Sequence, residues 1–327
     1  MLNYIIEQEL RRAPSDWDQT AKLLEKNEKT LKKILKGKEF QQYVVVQEGD
    51  TDGLAHWTTR ILSLVSQRTS WAVSETSLEQ ADSAPIKMSK SKTLFLYLGQ
   101  RGGNLHTLEL FEKLERWFPD NEKLILSSFG GDISKSSDNS MTFGPAERTS
   151  LQTLTPTRLM VASMNIAATL EGKDVLAKRA KLLNQWFVEP AGSRLAELSE
   201  RLRPNIVIAA PKRLAPICHV LRDLTVQYNG KRAPVVDLEE ATPVSTPSTI
   251  IGVTGKSSEK KDLDNLKEIQ GTESQVITFS GEATHSNSDF GNVQLSTRTT
   301  DIGRSIHTYL SVQKLFLCAK VRQSQIQ

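Results

Sequence analysis

At 327 residues the chain has room for two ordinary domains or one large one, and 38% hydrophobic with 24% charged residues marks it as globular rather than disordered. Its formal net charge is only +4, and its basic residues are interleaved with acids, as in EKNEKTLKKILKGKEF at 25–40, which argues against a dedicated nucleic-acid surface. No apolar run reaches the ~18 residues of a membrane span, and the N-terminus lacks the basic, apolar and small-residue order of a signal peptide.

The two cysteines, Cys218 and Cys318, sit in apolar helical contexts and read as buried thiols in a reducing compartment, so a cytoplasmic location is expected. No metal spacing involves them, and neither a metal nor a cofactor is expected.

Taken in order, residues 1 to about 38 read as helical. Leu2, Ile5, Ile6 and Leu10 share one face, and beyond Pro14 so do Leu23, Leu24, Leu31 and Ile34, with Ser15 and Asp16 offering an N-cap between them. Residues 43–46 predict a β-branched strand, 48–53 a turn, 54–66 a helix and 71–73 a short strand. Residues 93–98 are an apolar run of strand length. The glycine-rich stretch 99–104 ends it, and Leu105, Leu108, Leu110 and Leu114 open a helix to about Trp117. A strand, a Gly-rich turn and a helix can present backbone N–H groups to a phosphate, and can equally be a tight corner in an α/β sheet. Strands follow at 123–127 and 141–143. A helix at 157–170 carries Leu159, Ala162, Ile166 and Leu170 on one face, and a charged helical stretch at 173–202 breaks around 189–192.

The pattern then restarts. Strands at 205–210, 235–238, 249–254, 275–279 and 293–295 alternate with helices at 214–226 and 260–269 and a closing helix at 300–321. Such alternation implies parallel sheets covered on both faces, here twice over. The expected organisation is N-terminal helices 1–38 packing on a first domain 39–188, then a second domain 189–327.

The order of motifs resembles that of proteins with two sugar-isomerase (SIS) domains, such as the isomerase half of glucosamine-6-phosphate synthase. Four landmarks carry the resemblance, which covers nearly the whole chain. Where the family's first strand ends in Gly-x-Gly-Thr-Ser, this chain has Val46-Gln47-Glu48-Gly49-Asp50-Thr51. For Ser-Gln-Ser-Gly-Glu-Thr, whose hydroxyls hold the sugar phosphate, it has Gly99-Gln100-Arg101-Gly102-Gly103-Asn104, with Thr107 matching a later threonine. A Ser…Asp pair is matched by Ser134 and Asp138. A Gly-Pro-Glu…Ser-Thr-Lys-x-x-Thr run is matched by GPAERTSLQTLTPTRL, which keeps Gly144, Pro145, Ser150 and Thr155 and has Gln152 for the lysine.

The resemblance implies two three-layer αβα, flavodoxin-like domains with parallel sheets related by a pseudo-two-fold, a homodimer, and a phosphosugar ligand. Thr51, Gln100, Arg101, Gly102, Asn104, Thr107 and Ser150 would hold the phosphate, with the fully charged fork of Arg101 offsetting the lost serine hydroxyls. The alternative is that Arg101 faces solvent or a nearby carboxylate.

Catalysis is more altered. The family's Lys-x-x-Glu, whose glutamate is the base, becomes Val220 and Asp223. The region of its Glu-Leu-Lys-His-Gly-Pro motif has no histidine, and the chain stops at Gln327 without a matching tail lysine. Asp223 and His219, four apart on a predicted helix, are the acid–base pair that remains. Two readings stay open: a divergent sugar-phosphate isomerase, deaminase or deglycase, and an inactive SIS pseudoenzyme that senses a sugar phosphate or supports a partner. A second glycine motif, GVTGKS at 252–257, echoes a phosphate-loop ending but lacks its spacing.

Overall fold

The computed structural model describes residues 2–35, 39–48, 53–74, 92–99, 105–128, 139–144, 153–172, 174–271, 273–281 and 290–326. They divide into two compact units, one of residues 13–184 and one of residues 1–12 together with 185–327. The division falls inside the first helix, so the opening three turns of the chain belong with the C-terminal unit, where the sequence places residues 1–38 with the first domain.

The first unit is built on five parallel strands, β1 (Gln42–Gln47), β2 (Thr69–Ser74), β3 (Thr93–Gly99), β4 (Glu122–Ser127) and β5 (Ser140–Thr142), in the order β2-β1-β3-β4-β5. The run of Tyr43 to Val46 and the continuous apolar stretch of β3 are buried on both sides, as central parallel strands require. Helices α1 (Leu2–Lys26), α2 (Glu28–Leu35), α3 (Gly53–Ser66), α4 (Leu105–Trp117), α5 (Thr155–Glu171) and α6 (Asp174–Trp186) occur in this part of the chain. Phe111 and Leu114 of α4, with Phe118 just beyond it, pack on Val44, Val46, Phe95, Tyr97 and Ile125. The Phe95 and Phe118 rings lie 4.9 Å apart in a tilted pair, an arrangement worth about 0.5–1.5 kcal/mol beyond area burial. On the sheet's other side α3 packs against β1 and α5.

One expectation about α1 is corrected. The helix runs through Pro14 without a break, and Asp16 lies inside it rather than capping a second helix. A proline removes one backbone hydrogen bond. Here the flanking turns are anchored by fully buried side chains, Leu10, Ala13, Trp17 and Ala21, which outweigh that loss.

The second unit repeats the plan. Strands β6 (Ile206–Ala210), β7 (Val235–Asp237), β8 (Thr249–Val253), β9 (Gln275–Ser280) and β10 (Phe290–Gln294) are all parallel, in the order β10-β9-β8-β6-β7. Counted from its own first strand, each sheet therefore reads 2-1-3-4-5, the flavodoxin-like order. Helices α7 (Gly192–Glu200), α8 (Ala215–Asn229), α9 (Glu259–Ile269) and α10 (Asp301–Ile326) complete it. Leu263, Leu266 and Ile269 of α9 pack on Val207, Ala209, Ile250, Val276 and Phe290. The fold class is thus the expected one, two parallel α/β units. Among the described residues no helix is long and apolar enough to cross a membrane.

Candidate functional site

In a doubly wound sheet, ligands bind beyond the carboxyl ends of the strands where the winding reverses, between the first and third strands of each order. In the first unit that point lies between β1 and β3. Glu48 N–H donates to Leu98 O at 3.1 Å, Ser128 N–H to Gly99 O at 3.2 Å and Phe143 N–H to Ser127 O at 3.1 Å. The ladder thus continues just past the strands and sets Glu48, Gly99, Ser128 and Gly144 along one edge. The Gln47 side-chain oxygen accepts the Ala55 N–H at 2.9 Å, satisfying one of the open amides in the first turn of α3. Glu48 itself is buried, 6% exposed.

Beneath this edge lies a buried charge cluster. Arg158, in the first turn of α5, meets Asp16 of α1 through two parallel bonds, Nε to Oδ2 at 2.5 Å and Nη2 to Oδ1 at 2.9 Å. Its Nη1 donates to the Ser128 hydroxyl at 3.1 Å, which also accepts from the Thr155 hydroxyl at 2.8 Å. Arg158 and Asp16 are 1% and 4% exposed. Gly144 lies so close that a Cβ there would stand 2.9 Å from the guanidinium carbon, so the backbone after β5 passes over the arginine only because it has no side chain. The pair therefore ties α1, the end of β4, the residue after β5 and the start of α5 into one unit.

The residues named for the phosphate are placed less fully. Thr51, Gln100, Arg101, Gly102, Asn104 and Ser150 lie outside the described residues, as do Ser134 and Asp138. Thr107 is in the first turn of α4, and its side chain is likewise outside them.

The second unit's reversal point, between β6 and β8, is closed by its own chain. Asp262 Oδ2 accepts from Gly255 N–H at 2.8 Å, from the Ser258 hydroxyl at 2.8 Å and from Arg213 Nη2 at 3.1 Å. Arg213, in the short 3₁₀ turn after β6, presses on Gly255, where a Cβ would collide with it. Lys256 N–H donates to Asp301 Oδ1 at 2.7 Å. One turn before Asp262, Glu259 accepts from Gly281 N–H, from the Thr254 hydroxyl at 3.3 Å and from Arg304 Nη1 at 3.2 Å. The GVTGKS turn does hold an anion, and that anion is the chain's own carboxylate.

Of the acid–base candidates, Asp223 is buried and His219 half-buried, one turn apart on α8, with Val220 buried between them. Cys218 beside them is fully buried, and burial pushes its thiol up to about 12, with the Asp237 carboxylate adding to the shift. Lys320 lies on α10, as the sequence indicates. Its Nζ donates to Gln227 O at 3.2 Å and stands 5.8 Å from the Tyr228 ring centroid, so it is engaged within its own unit. His307 is fully buried, edge-on to Phe187 at 5.2 Å, the packing of a core histidine.

Sequence reasoning missed Arg158, and a signal was present. Residues 155–168 are buried almost all round, and Arg158 is the one charged residue among them. A charge in such a stretch requires a buried partner.

No family model matches the sequence, and no curated protein matches it. Solved structures do match in fold. Tagatose-6-phosphate ketose/aldose isomerase from Escherichia coli superposes with a TM-score of 0.74 at 14% identity, covering 98% of this chain and 94% of that one. The C-terminal domain of glucosamine-fructose-6-phosphate aminotransferase from Francisella tularensis gives 0.73 at 13%, covering 98% and 96%. Glucosamine-6-phosphate deaminase from Thermotoga maritima gives 0.63 at 11%, covering 97% and 95%. With two parallel 2-1-3-4-5 sheets and a match along almost its entire length, this chain has the double sugar-isomerase-domain fold.

Proposed function

We propose that the protein binds a phosphosugar, of the hexose or amino-sugar phosphate class, at the carboxyl edge of its first sheet, with catalysis weak or altered. The observation that carries this reading is that the second reversal point is already filled by the chain's own carboxylates. In the second unit the turn donors are taken by Asp262 and Glu259. In the first, Arg158 and Asp16 satisfy each other through two parallel bonds beneath the edge, and the resemblance assigns the phosphate to the turn after β3. Arg101, with Thr51, Gln100, Gly102, Asn104, Thr107 and Ser150, holds the phosphate. The names of the structures sharing this fold, an isomerase of tagatose 6-phosphate and a deaminase of glucosamine 6-phosphate, point to the same ligand class.

Asp223, assisted by His219, is the base of any residual isomerase or deaminase activity. A carboxylate one methylene shorter than the family's glutamate stands about an ångström further from a substrate carbon, enough to slow proton transfer about a hundredfold. The protein is expected to be cytoplasmic and homodimeric. The second reading, a pseudoenzyme that senses a sugar phosphate or supports a partner, is favoured by the replacement of the family's lysine with buried Val220.

Two measurements test the proposal. Hexose or hexosamine phosphates at millimolar concentration raise the melting temperature; no shift with any of them leaves only a structural role. Exchange of the sugar C2 proton with deuterated solvent, present in the parent and lost in Asp223→Asn, supports the enzyme. Its absence from the parent selects the pseudoenzyme for the sugars tried.

A further inference from the structure

Within the second unit, the first turns of α1, the 189–190 segment, α7 and the last turns of α10 surround a groove of about 800 Å³. This is within the range of small-molecule sites. Its apolar wall is formed by Leu10, Leu195, Leu317 and Val321. Set into this wall is Lys314, whose side chain is only 9% exposed. Its Nζ pairs with Glu189 and stands 5.3 Å from the Phe187 ring centroid. Burial lowers the lysine's pKa from its ordinary value, and the Glu189 carboxylate works against that shift.

The two members of this pair differ in kind. The lysine is desolvated and fixed on a long helix, whereas Glu189 lies on the segment between α6 and α7 with 60% of its side chain exposed. The other charges at the mouth are matched locally, Arg11 with Glu7 at 2.6 Å and Arg322 with Glu200 at 2.7 Å. An incoming carboxylate can therefore replace that of Glu189 on Lys314 without stranding a buried charge, because Glu189 needs only to turn into water. What such a ligand adds is cover for Leu317 and Val321, the half-buried members of that wall.

We infer that this groove binds a small apolar monocarboxylate, its carboxylate on Lys314 in place of Glu189 and its hydrocarbon body along Leu317 and Val321. The inference is independent of sugar-phosphate binding in the other unit.

Calorimetric titration of the full chain with decanoate, below its micelle-forming concentration, tests the site, with decanol as the neutral probe of equal length. Decanoate binds at least about tenfold tighter than decanol, as a charge-assisted contact to a desolvated cation requires. Lys314→Met removes that preference, provided circular dichroism shows it folded. Glu189→Gln, at an exposed position that leaves folding intact, tightens decanoate by about threefold or more because the internal competitor is weakened. Failure of decanoate to bind, equal affinity for the two probes, or an unchanged decanoate affinity in Glu189→Gln overturns the inference.

Discussion

Arg158→Met should destabilise the first unit more than any surface change can. The substitution keeps a similar length and removes the charge, which leaves the Asp16 carboxylate 4% exposed with both bonds to Arg158 lost, and also removes the 3.1 Å bond to Ser128. Removing one partner of a buried ion pair costs about 3–5 kcal/mol. For a unit of this size each kcal/mol lowers the melting temperature by about 2–4 °C, so a fall of roughly 6–20 °C is expected. Asp16→Leu alone strands the arginine at a similar cost. The double variant strands nothing, and should be less destabilised than the sum of the two by about 2–3 kcal/mol. Urea unfolding followed by tryptophan fluorescence suits the measurement, because Trp17, Trp57, Trp71 and Trp117 all lie within residues 13–184. A loss below about 1 kcal/mol in Arg158→Met, or additive costs in the double variant, would refute the buried-pair account.

Two further outcomes follow from the second unit. Burial raises the Cys218 thiol from 9.0 to about 12, so the folded chain keeps a proton that the unfolded chain releases. The resulting stability is fully present below pH 9.0 and is lost as pH rises towards about 12. Cys218→Val should flatten that decline, and in a Cys318→Ser background, which removes the half-buried second thiol, Cys218 should stay unreactive to a thiol reagent at pH 8 until the protein unfolds; prompt modification of that folded variant contradicts this. Asp262→Ala should uncover the donors of Gly255, Ser258 and Arg213, so that the excess of sulfate over chloride in raising the melting temperature at equal ionic strength is larger in the variant than in the parent, where it reflects only sulfate's general stabilising effect. An equal response in variant and parent would mean that these groups do not form an anion site.

The architecture was legible because both of its signals are local. Runs such as Tyr43 to Val46 and Thr93 to Leu98 are apolar without alternation, which a strand buried on both faces requires, and a helix such as α9 carries one apolar stripe, Leu263, Leu266 and Ile269. Where packing overrides local preference, the reading fails. Pro14 signals a break, yet α1 continues, because the side chains around it are held in a core that sequence periodicity does not describe. Arg158 and Asp16 lie 142 positions apart, and no local rule pairs them. Glu48 and Gln47 were visible as departures from the family's turn, but burial of the first and capping of Ala55 by the second depend on how β1 meets α3. The GVTGKS turn shows the opposite case. Its donors are those of an anion site, and only the three-dimensional position of Asp262 reveals that the anion is internal.

The central claim, that the first sheet's carboxyl edge rather than the second's receives a sugar phosphate, is tested most directly by calorimetric titration of glucosamine 6-phosphate into the parent, Arg101→Ala and Arg213→Ala. The account predicts binding to the parent, loss of at least about tenfold in affinity in Arg101→Ala, and little change in Arg213→Ala. Binding that survives Arg101→Ala and disappears in Arg213→Ala would place the ligand on the other sheet and contradict it.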